Sequence, residues 1–159
     1  SKILAPGLRL GWLQAGHRQM QRILESGWIN SGGSINHFSS HIAREAIESG
    51  RQEAHIEYVK GVYRDRVEVM QAELERVFNG RARWSKPKGG YFFWLEMEEG
   101  TDTRALRRTA IAAGTGFQPG AVFSGSHGLG HYLRLSFAHY TKDEIRLGMN
   151  RLAKALSVE

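Results

Sequence analysis

A lysine and an arginine near the start of the chain lie on either side of a turn, and together they could handle an aldehyde that carries a phosphate. Lys2 is followed by Pro6-Gly7, and Arg9 then enters an apolar run that reaches Leu13. A lysine amine that loses its proton forms a Schiff base with an aldehyde, and an arginine offers forked N–H donors that suit a phosphate. Most single lysines are solvated surface charges, so it is Arg9, brought back by the turn, that makes Lys2 a candidate.

Two pairs of histidines have the spacing that can place two metal ligands on one helical face, namely His37 with His41 and His127 with His131. Glycines lie between the members of the second pair and argue against a helix there. Neither pair has an obvious third ligand in the sequence. The sequence therefore predicts no metal site.

The glycine-rich and aromatic stretches favour structural roles over ligand binding. The glycines between Gly114 and Gly130 lack the strand and helix that flank a dinucleotide-binding loop, so we expect a plain loop. The aromatic run from Tyr91 to Trp94 could stack on nucleic acid bases. Successive residues of a strand point to opposite faces, however, so we expect these side chains to pack in a core on both sides of the sheet.

The composition is that of an ordinary globular protein. The 159 residues are 41% hydrophobic and 24% charged, enough for one good core. No apolar run approaches the ~18 residues of a membrane span, and no secretory signal pattern opens the chain, so we expect no membrane partner. The absence of cysteine excludes disulfides, thiolate metal sites and cysteine nucleophiles, and it is compatible with the cytoplasmic location that we expect. The net charge of +6 is scattered, which indicates a solvated surface and no nucleic acid partner for this segment.

Apolar spacing predicts a strand and three helices in the first half of the chain. The strand covers Leu8–Leu13, and the helices cover His17–Asn30, Ile35–Glu48 and a long stretch that ends at Asn79-Gly80. The side chains expected to face inward from the second helix are Ile42, Ala43, Ala46 and Ile47. Those of the long helix are Ile56, Val59, Tyr63, Val67, Met70, Leu74 and Val77.

The second half predicts a small sheet with further helices. Strands are expected at Arg81–Ser85, Tyr91–Met97 and His131–Phe137, and a helix is expected at Thr103–Ala113. The last helix opens with the capping-box pattern Thr141-Lys142-Asp143-Glu144. Its expected buried stripe consists of Ile145, Met149, Leu152 and Leu156.

This order of elements predicts an α/β protein whose helices pack on a small, mainly antiparallel sheet. We expect the end of a larger domain at residues 1–50, a bridging helix at 51–80 and a small α+β domain at 81–159. The chain also has no initiating methionine, so we expect it to be part of a longer product.

Four motifs, taken in chain order, resemble those of the fold type I aminotransferases, enzymes that use pyridoxal 5'-phosphate (PLP). Residues 1–11 are similar to the family's S-K-x-x-x-P-G-x-R-x-G motif, and residues 87–94 to its P-x-G-G-x-F-x-W strand. Residues 119–123 look like the P-G-x-x-F turn, and residues 133–138 like the R-L-S-F-A strand. The subgroup resembled most is that of the 2-aminoadipate aminotransferases, together with the related domains of MocR regulators.

The resemblance implies a role for each candidate residue. Lys2 would hold PLP through a Schiff base, Arg9 and Ser1 would contact the cofactor's phosphate, and Arg134 would bind the α-carboxylate of the substrate. The complete protein would transfer an amino group between an amino acid and a 2-oxo acid and would work as a homodimer. In this family the other cofactor contacts lie upstream of the lysine, so the isolated chain is expected to be inactive.

Two alternatives stay open. The same residues could end a MocR/GntR-type transcription regulator, whose aminotransferase-like domain senses PLP or an amino acid instead of turning it over. Nothing in this segment separates a regulator from an enzyme; a winged helix-turn-helix in the parent gene would. The other alternative is an independent small domain for protein–protein contact, which predicts a cooperative, monomeric fold.

Overall fold

Helices dominate the chain, and a single small sheet lies in its second half. A computed structural model describes residues 3–31, 36–126 and 128–156. The chain divides into two units, Ser1–Lys60 and Gly61–Glu159. The helices are α1 (His17–Leu24), α2 (Gly27–Asn30), α3 (His37–Glu48), α4 (Arg51–Phe78), α5 (Thr103–Ala112) and α6 (Lys142–Leu156), and the strands are β1 (Ala82–Trp84), β2 (Phe92–Met97), β3 (Gln118–Pro119) and β4 (Tyr132–Ser136). Within the described ranges, no helix is long and apolar enough to cross a membrane.

The strand expected near the start of the first unit is absent from the described residues. Pro6–Leu8 forms one turn of 3-10 helix, and Arg9 closes it in the left-handed conformation with a φ of 51°. Residues 9–16 follow without regular structure. Apolar alternation by itself cannot make a strand, because its N–H and C=O groups need a neighbouring strand, and the described part of this unit contains none.

The helix expected from His17 to Asn30 is interrupted. α1 ends at Leu24, and Ser26 adopts an extended conformation before Gly27 begins α2. α3 has a clear start signal, since the side-chain oxygen of Asn36 accepts a hydrogen bond from the Ser39 N–H at 3.0 Å. Capping of this kind satisfies one of the free N–H groups of the first turn.

Apolar side chains of the first unit are largely exposed, and the expected inward face of α3 is wrong. Ile42 is 39% exposed and Ile47 is 65% exposed, while the tryptophans at positions 12 and 28 are more than four-fifths exposed, Trp12 at 81% and Trp28 at 82%. The helical spacing was read correctly, but no described element of this unit covers that face. A spacing pattern predicts which side chains share a face and not what lies against that face.

α4 runs through the boundary between the units, and its C-terminal half belongs to the core of the second. Val67, Met70, Leu74 and Phe78 are buried there at steps of three and four residues. This confirms the expected stripe from Val67 to Leu74. Gly80 has a φ of 75°, a conformation that suits glycine and ends the helix.

The sheet of the second unit is antiparallel throughout, in the order β1-β2-β4-β3. This confirms the predicted small antiparallel sheet. Phe93 and Leu95 of β2 pair with Leu135 and Leu133 of β4, and all four side chains are buried. They form one core with α4, α5 and α6, whose buried contributors include Ala110, Ile145, Met149 and Leu152. One face of the sheet is therefore covered by helices.

Both helices that follow the long one begin with a side-chain cap. The Asp102 carboxylate accepts from the Arg104 and Ala105 N–H groups at 2.9 and 3.1 Å, which fixes the start of α5. Before α6 the Glu144 carboxylate accepts from the Thr141 N–H at 2.8 Å, and the Thr141 hydroxyl accepts from the Glu144 N–H at 3.3 Å. The two bonds are the reciprocal pair of a capping box, which confirms that prediction.

Candidate functional site

The second face of the sheet carries partly or fully exposed side chains that no helix of the second unit covers. Register places them together, because Trp94 pairs with Arg134, which pairs in turn with Gln118 of β3. The remaining members alternate along the strands with the core residues. They are Phe92 and Glu96 of β2, Tyr132 and Ser136 of β4, and Arg83 of β1. We call this set the open face of the sheet.

The expectation that the aromatic run would pack in a core on both sides of the sheet is wrong for two of its members. Phe93 is fully buried, as expected. Phe92 and Trp94, which point the other way, are 37% and 36% exposed. The alternation was predicted correctly, but the second unit has helices on only one side of the sheet.

Arg134 is the cation at the centre of the open face. Its guanidinium carbon lies 3.9 Å from the centroid of the Phe92 ring and 4.4 Å from that of the Phe123 ring. These are cation–π distances. Its side chain makes no hydrogen bond or ion pair with any other residue that the structure describes. A partly buried arginine that lies over two rings and has uncommitted N–H donors is suited to an external carboxylate.

Phe123 reaches this arginine because of the turn at residues 119–123, which resembles the P-G-x-x-F turn and lies within the glycine-rich stretch that is otherwise expected to be plain loop. β3 is two residues long, and Pro119 pairs with Leu133 before the chain enters a turn of 3-10 helix, Gly120–Phe123. A Cβ atom at position 120 would lie 2.5 Å from both the Leu129 carbonyl oxygen and the Tyr132 Cβ. Only glycine fits so close to β4. The Pro-Gly pair was the available signal, since it marks a tight turn before Phe123.

A second row of contacts lies beside the cluster formed by Arg134, Phe92 and Phe123, which we call the Arg134 cluster. The Trp94 ring meets the Phe123 ring nearly edge-on, with centroids 5.6 Å apart and planes at 73°, and it stacks on the Tyr132 ring at 5.6 Å and 19°. The Tyr132 hydroxyl donates to the Glu96 carboxylate. This hydrogen bond lowers the pKa of Glu96 and raises the pKa of Tyr132. Arg83 approaches the same carboxylate to 3.2 Å. Sequence reasoning missed this row, because its members meet only through strand pairing.

Of the other candidate residues, Arg9 is described and Ser1 and Lys2 lie outside the described residues. The turn before Arg9 satisfies its own backbone, because the Leu8 N–H donates to the Ala5 carbonyl at 3.2 Å and the Arg9 N–H to the Pro6 carbonyl at 3.3 Å. Arg9 and Arg134 belong to different units, and each is placed within its own unit only.

The residues present fit a phosphorylated cofactor such as PLP as far as the described donors go. The Arg9 side chain is exposed, and it has no hydrogen-bonded or ionic partner among the residues for which the structure gives positions. Its five N–H donors are therefore available to a phosphate. The left-handed backbone at Arg9 closes the turn that also contains Pro6 and Gly7. A phosphate contact from this arginine is chemically consistent with what the structure shows.

The histidine pairs do not assemble a larger cluster in the part of the chain that is described. The His37 and His41 rings have centroids 4.7 Å apart, one turn from each other on α3. His127 lies outside the described residues, and His131 is 3.9 Å from Glu96. No three histidine, cysteine or acidic side chains within the described ranges are placed to hold one metal ion.

The chain is similar to known proteins over its whole length or nearly so. No family model matches. The chain is 35% identical over 159 residues to aromatic-amino-acid aminotransferase 1 of Thermococcus litoralis, covering 100% of this chain and 38% of that protein. It is 29% identical over 152 residues to the HTH-type transcriptional regulator YdfD of Bacillus subtilis, covering 96% of this chain and 31% of the regulator.

A solved structure agrees with these relatives. The α-aminoadipate aminotransferase LysN of Thermus thermophilus, in complex with N-(5'-phosphopyridoxyl)-L-leucine, superposes with a TM-score of 0.89 at 31% identity, over 99% of this chain and 40% of that one. The chain thus spans about two fifths of the length of the aminotransferases that it matches. By sequence and by fold, it belongs to the fold type I, PLP-dependent aminotransferase family and matches the C-terminal part of that family's chains.

Proposed function

We propose that the complete protein is a PLP-dependent aminotransferase that exchanges an amino group between an amino acid and a 2-oxo acid. The observation that carries this proposal is the Arg134 guanidinium, held against two aromatic rings and without a partner among the described residues. Every amino acid and 2-oxo acid has a carboxylate next to the reacting carbon. A fixed arginine that binds this carboxylate serves both substrates of an amino-group exchange.

Arg134 would orient the substrate. Its guanidinium can donate two parallel hydrogen bonds to one carboxylate, and this fixes the position of the carboxylate and its plane. The Cα–H bond is then turned toward the catalytic base instead of sampling all directions, which is where much of the rate gain of a bound reaction arises. Binding both the donor and the acceptor through the same group lets one site serve both half-reactions.

Three residues of the first unit would hold the cofactor. Lys2 would attach to PLP covalently, and Ser1 and Arg9 would bind its phosphate, with Arg9 contributing the exposed forked donors described above. PLP, when bound, supplies an electron sink for negative charge developing at the substrate's Cα. The Lys2 amine, once free, would act as the base that takes the proton from that Cα.

The same proposal assigns parts and partners. Residues 1–50 would end the cofactor-binding domain, residues 51–80 would bridge, and residues 81–159 would form the small domain. The complete protein would be a homodimer, because sites of this family are completed across a subunit interface, and it would work in the cytoplasm. The absence of cysteine is compatible with that compartment.

The direct test uses the complete gene product purified with PLP. Borohydride reduction followed by peptide mass spectrometry should place a pyridoxyl group on Lys2, and Lys2→Ala should lose both the label and the transfer of amino groups. Arg134→Gln should keep the label, because it leaves the cofactor attachment intact, and should bind amino acids more weakly. A label on a different lysine, or full activity in Lys2→Ala, would contradict the proposal.

A second function is favoured by the similarity to a transcriptional regulator over 96% of the chain. In this alternative the same arginine and lysine would bind an amino acid and PLP without sustained turnover, and the complete protein would respond by changing its affinity for DNA. Two assays on the complete protein separate the candidates. Turnover of an amino acid with a 2-oxo acid favours the enzyme, and PLP-dependent binding to the upstream region of its own gene favours the regulator.

A further inference from the structure

The two rings that contact Arg134 come from different elements. Phe92 lies on β2, diagonally across the strand pair from Arg134 on β4, and Phe123 lies at the end of the 3-10 turn after β3. We propose that Phe92 and Phe123 are positioning residues, which hold the Arg134 guanidinium in the orientation that receives the substrate carboxylate. This inference rests on the proposed function. It names the two residues that would orient the arginine proposed to bind the substrate carboxylate.

An arginine on an exposed sheet face would sample many rotamers, because its side chain has several rotatable bonds. The guanidinium carbon lies over both rings, 3.9 and 4.4 Å from their centroids, and these contacts restrict the rotamers. The N–H donors lie in the plane of the guanidinium and point from its edge. The rings offer no conventional hydrogen-bond acceptor, and no other described residue accepts from these donors, so the group is held while its donors stay available to a ligand. An acidic partner would instead occupy those donors.

Phe123 is itself held in place from two directions. Trp94 contacts it edge-on at 5.6 Å, and Trp94 in turn stacks on Tyr132, whose hydroxyl is hydrogen-bonded to Glu96. On the chain side, the close approach of Gly120 to β4 fixes where the turn begins. A receptor whose parts are held before the ligand arrives loses less conformational entropy on binding. The cluster is thus arranged so that most of the ordering cost of Arg134 is met in the folded protein.

The positioning role predicts a different result from direct contact between the two rings and the substrate's side chain. If the rings act through Arg134, removing a ring should weaken ligands that carry a carboxylate and spare the corresponding amines that lack one. If the rings instead contact the substrate's side chain, both kinds of ligand should weaken together. Leucine is the suitable replacement, because it keeps apolar bulk and removes the ring face. Tyrosine keeps the ring and should restore binding.

The experiment titrates the complete protein, loaded with PLP, and follows the cofactor's absorbance. The ligands are L-leucine and L-phenylalanine, each paired with its decarboxylated amine, 3-methylbutylamine or 2-phenylethylamine. Phe92→Leu and Phe123→Leu should each weaken amino acid binding by about tenfold, a change of the size expected for losing one well-formed cation–π contact. Amine binding should stay unchanged. Phe123→Tyr should bind like wild type. Tyr58→Leu is the matched control, because Tyr58 is an aromatic residue of α4 that is 69% exposed and is not among the described residues that line the cavity containing Phe92 and Arg134.

Arg134→Gln in the same titration separates the carboxylate-binding role of Arg134 from the positioning role of the two rings. If this variant binds amino acids as tightly as wild type, the carboxylate role of Arg134 in the proposed function is wrong. If it binds weakly while both leucine variants bind normally, only the positioning role is wrong. Equal loss for amino acids and amines in the leucine variants also overturns the positioning role. Phe123→Leu combined with Arg134→Gln should be no weaker than Arg134→Gln alone; additive losses would contradict a shared mechanism.

Discussion

At the scale of single residues, the proposed carboxylate site would consist of one arginine and the aromatic groups that contact it. The arginine at position 134 was a candidate from the sequence, through its place in the Leu-Arg-Leu-Ser-Phe-Ala motif. The rings of Phe92 and Phe123 were not, because one is diagonal to Arg134 across a strand pair and the other arrives from a separate turn. The sequence motif identifies the charged residue, whereas strand pairing and the geometry of the turn identify the rings that contact it.

Replacing Arg134 by lysine should impair substrate binding although the charge is kept. Lysine presents a compact ammonium in place of a planar fork, so it cannot form the bidentate pair. A charged hydrogen bond contributes about 1.5–3 kcal/mol, so Arg134→Lys should raise the KM for the amino acid by roughly 10- to 100-fold with little change in PLP content. Steady-state kinetics and cofactor absorbance of the complete protein measure both. Unchanged KM values would contradict the bidentate role.

Gly120 should not tolerate alanine. The added Cβ would lie 2.5 Å from the Leu129 carbonyl oxygen, well inside contact distance, and β4 cannot move without disturbing the sheet. Overpacking of this kind costs about 1–3 kcal/mol. Gly120→Ala should therefore lower the melting temperature of the complete protein and weaken amino acid binding, since it displaces Phe123. Gly125→Ala is the control, because a Cβ there meets nothing within 4 Å. Equal melting temperatures for the two variants would rule the steric account out.

At the scale of elements, the sequence predicted correctly those features that depend on residues close together in the chain. The Thr141–Glu144 capping box, the buried stripe of α6 and the antiparallel strands β2 and β4 were all predicted from sequence. The strand expected at Leu8–Leu13 failed, because a strand depends on partners that sequence alternation does not reveal. Caps and stripes depend on residues within a few positions of one another, so they are visible in the sequence.

The cap of α6 should make part of the protein's stability depend on pH. Hydrogen bonds from the Thr141 N–H and hydroxyl favour the ionised form of Glu144 and lower its pKa below the usual 4.5. A carboxyl whose pKa is lower in the folded state stabilises it at pH values above 4.5, and this contribution is lost as the pH falls through the folded-state pKa. Glu144→Gln should therefore melt at a lower temperature than wild type at neutral pH, with the difference vanishing in acid.

Thermal melts of the complete protein, taken from neutral pH down through the folded-state pKa of Glu144, measure the difference in melting temperature. Glu99→Gln is the matched control, because Glu99 is exposed and makes no hydrogen bond or ion pair with the residues whose positions are known. It should change the melting temperature little at any pH. A difference between Glu144→Gln and wild type that persists in acid would contradict the carboxylate account of the cap.

At the scale of the whole molecule, the two units differ in how completely they bury their apolar residues. The second unit has a continuous core built from α4, α5, α6 and one face of the sheet. The first leaves Trp12, Trp28 and Phe38 more than three quarters exposed, the last at 77%. Large apolar side chains at this exposure are typical of surfaces that bind another part of a protein.

The isolated 159-residue chain should not sustain transamination. Ser1, Lys2 and Arg9 are the residues proposed to hold the cofactor, and the family resemblance implies further contacts upstream of the lysine, so in this chain PLP would be held by few contacts and an exposed imine would hydrolyse. The chain mixed with PLP, L-leucine and a 2-oxo acid should give no product beyond that of free PLP. The complete protein, assayed in parallel, is the control. Sustained turnover by the isolated chain would show that these few contacts suffice.

The sequence by itself determined the family resemblance, the candidate lysine and arginines, the buried stripes of α4 and α6 and the capping box of α6, because each of these depends on residue types at short, fixed spacings. The tertiary structure alone decided which face of the sheet is covered and which is open. It also decided that Arg134 is held by two rings that are 31 positions apart in the chain, at positions 92 and 123. Such contacts arise from strand register and from the close approach of Gly120 to β4, and neither can be read from neighbouring residues.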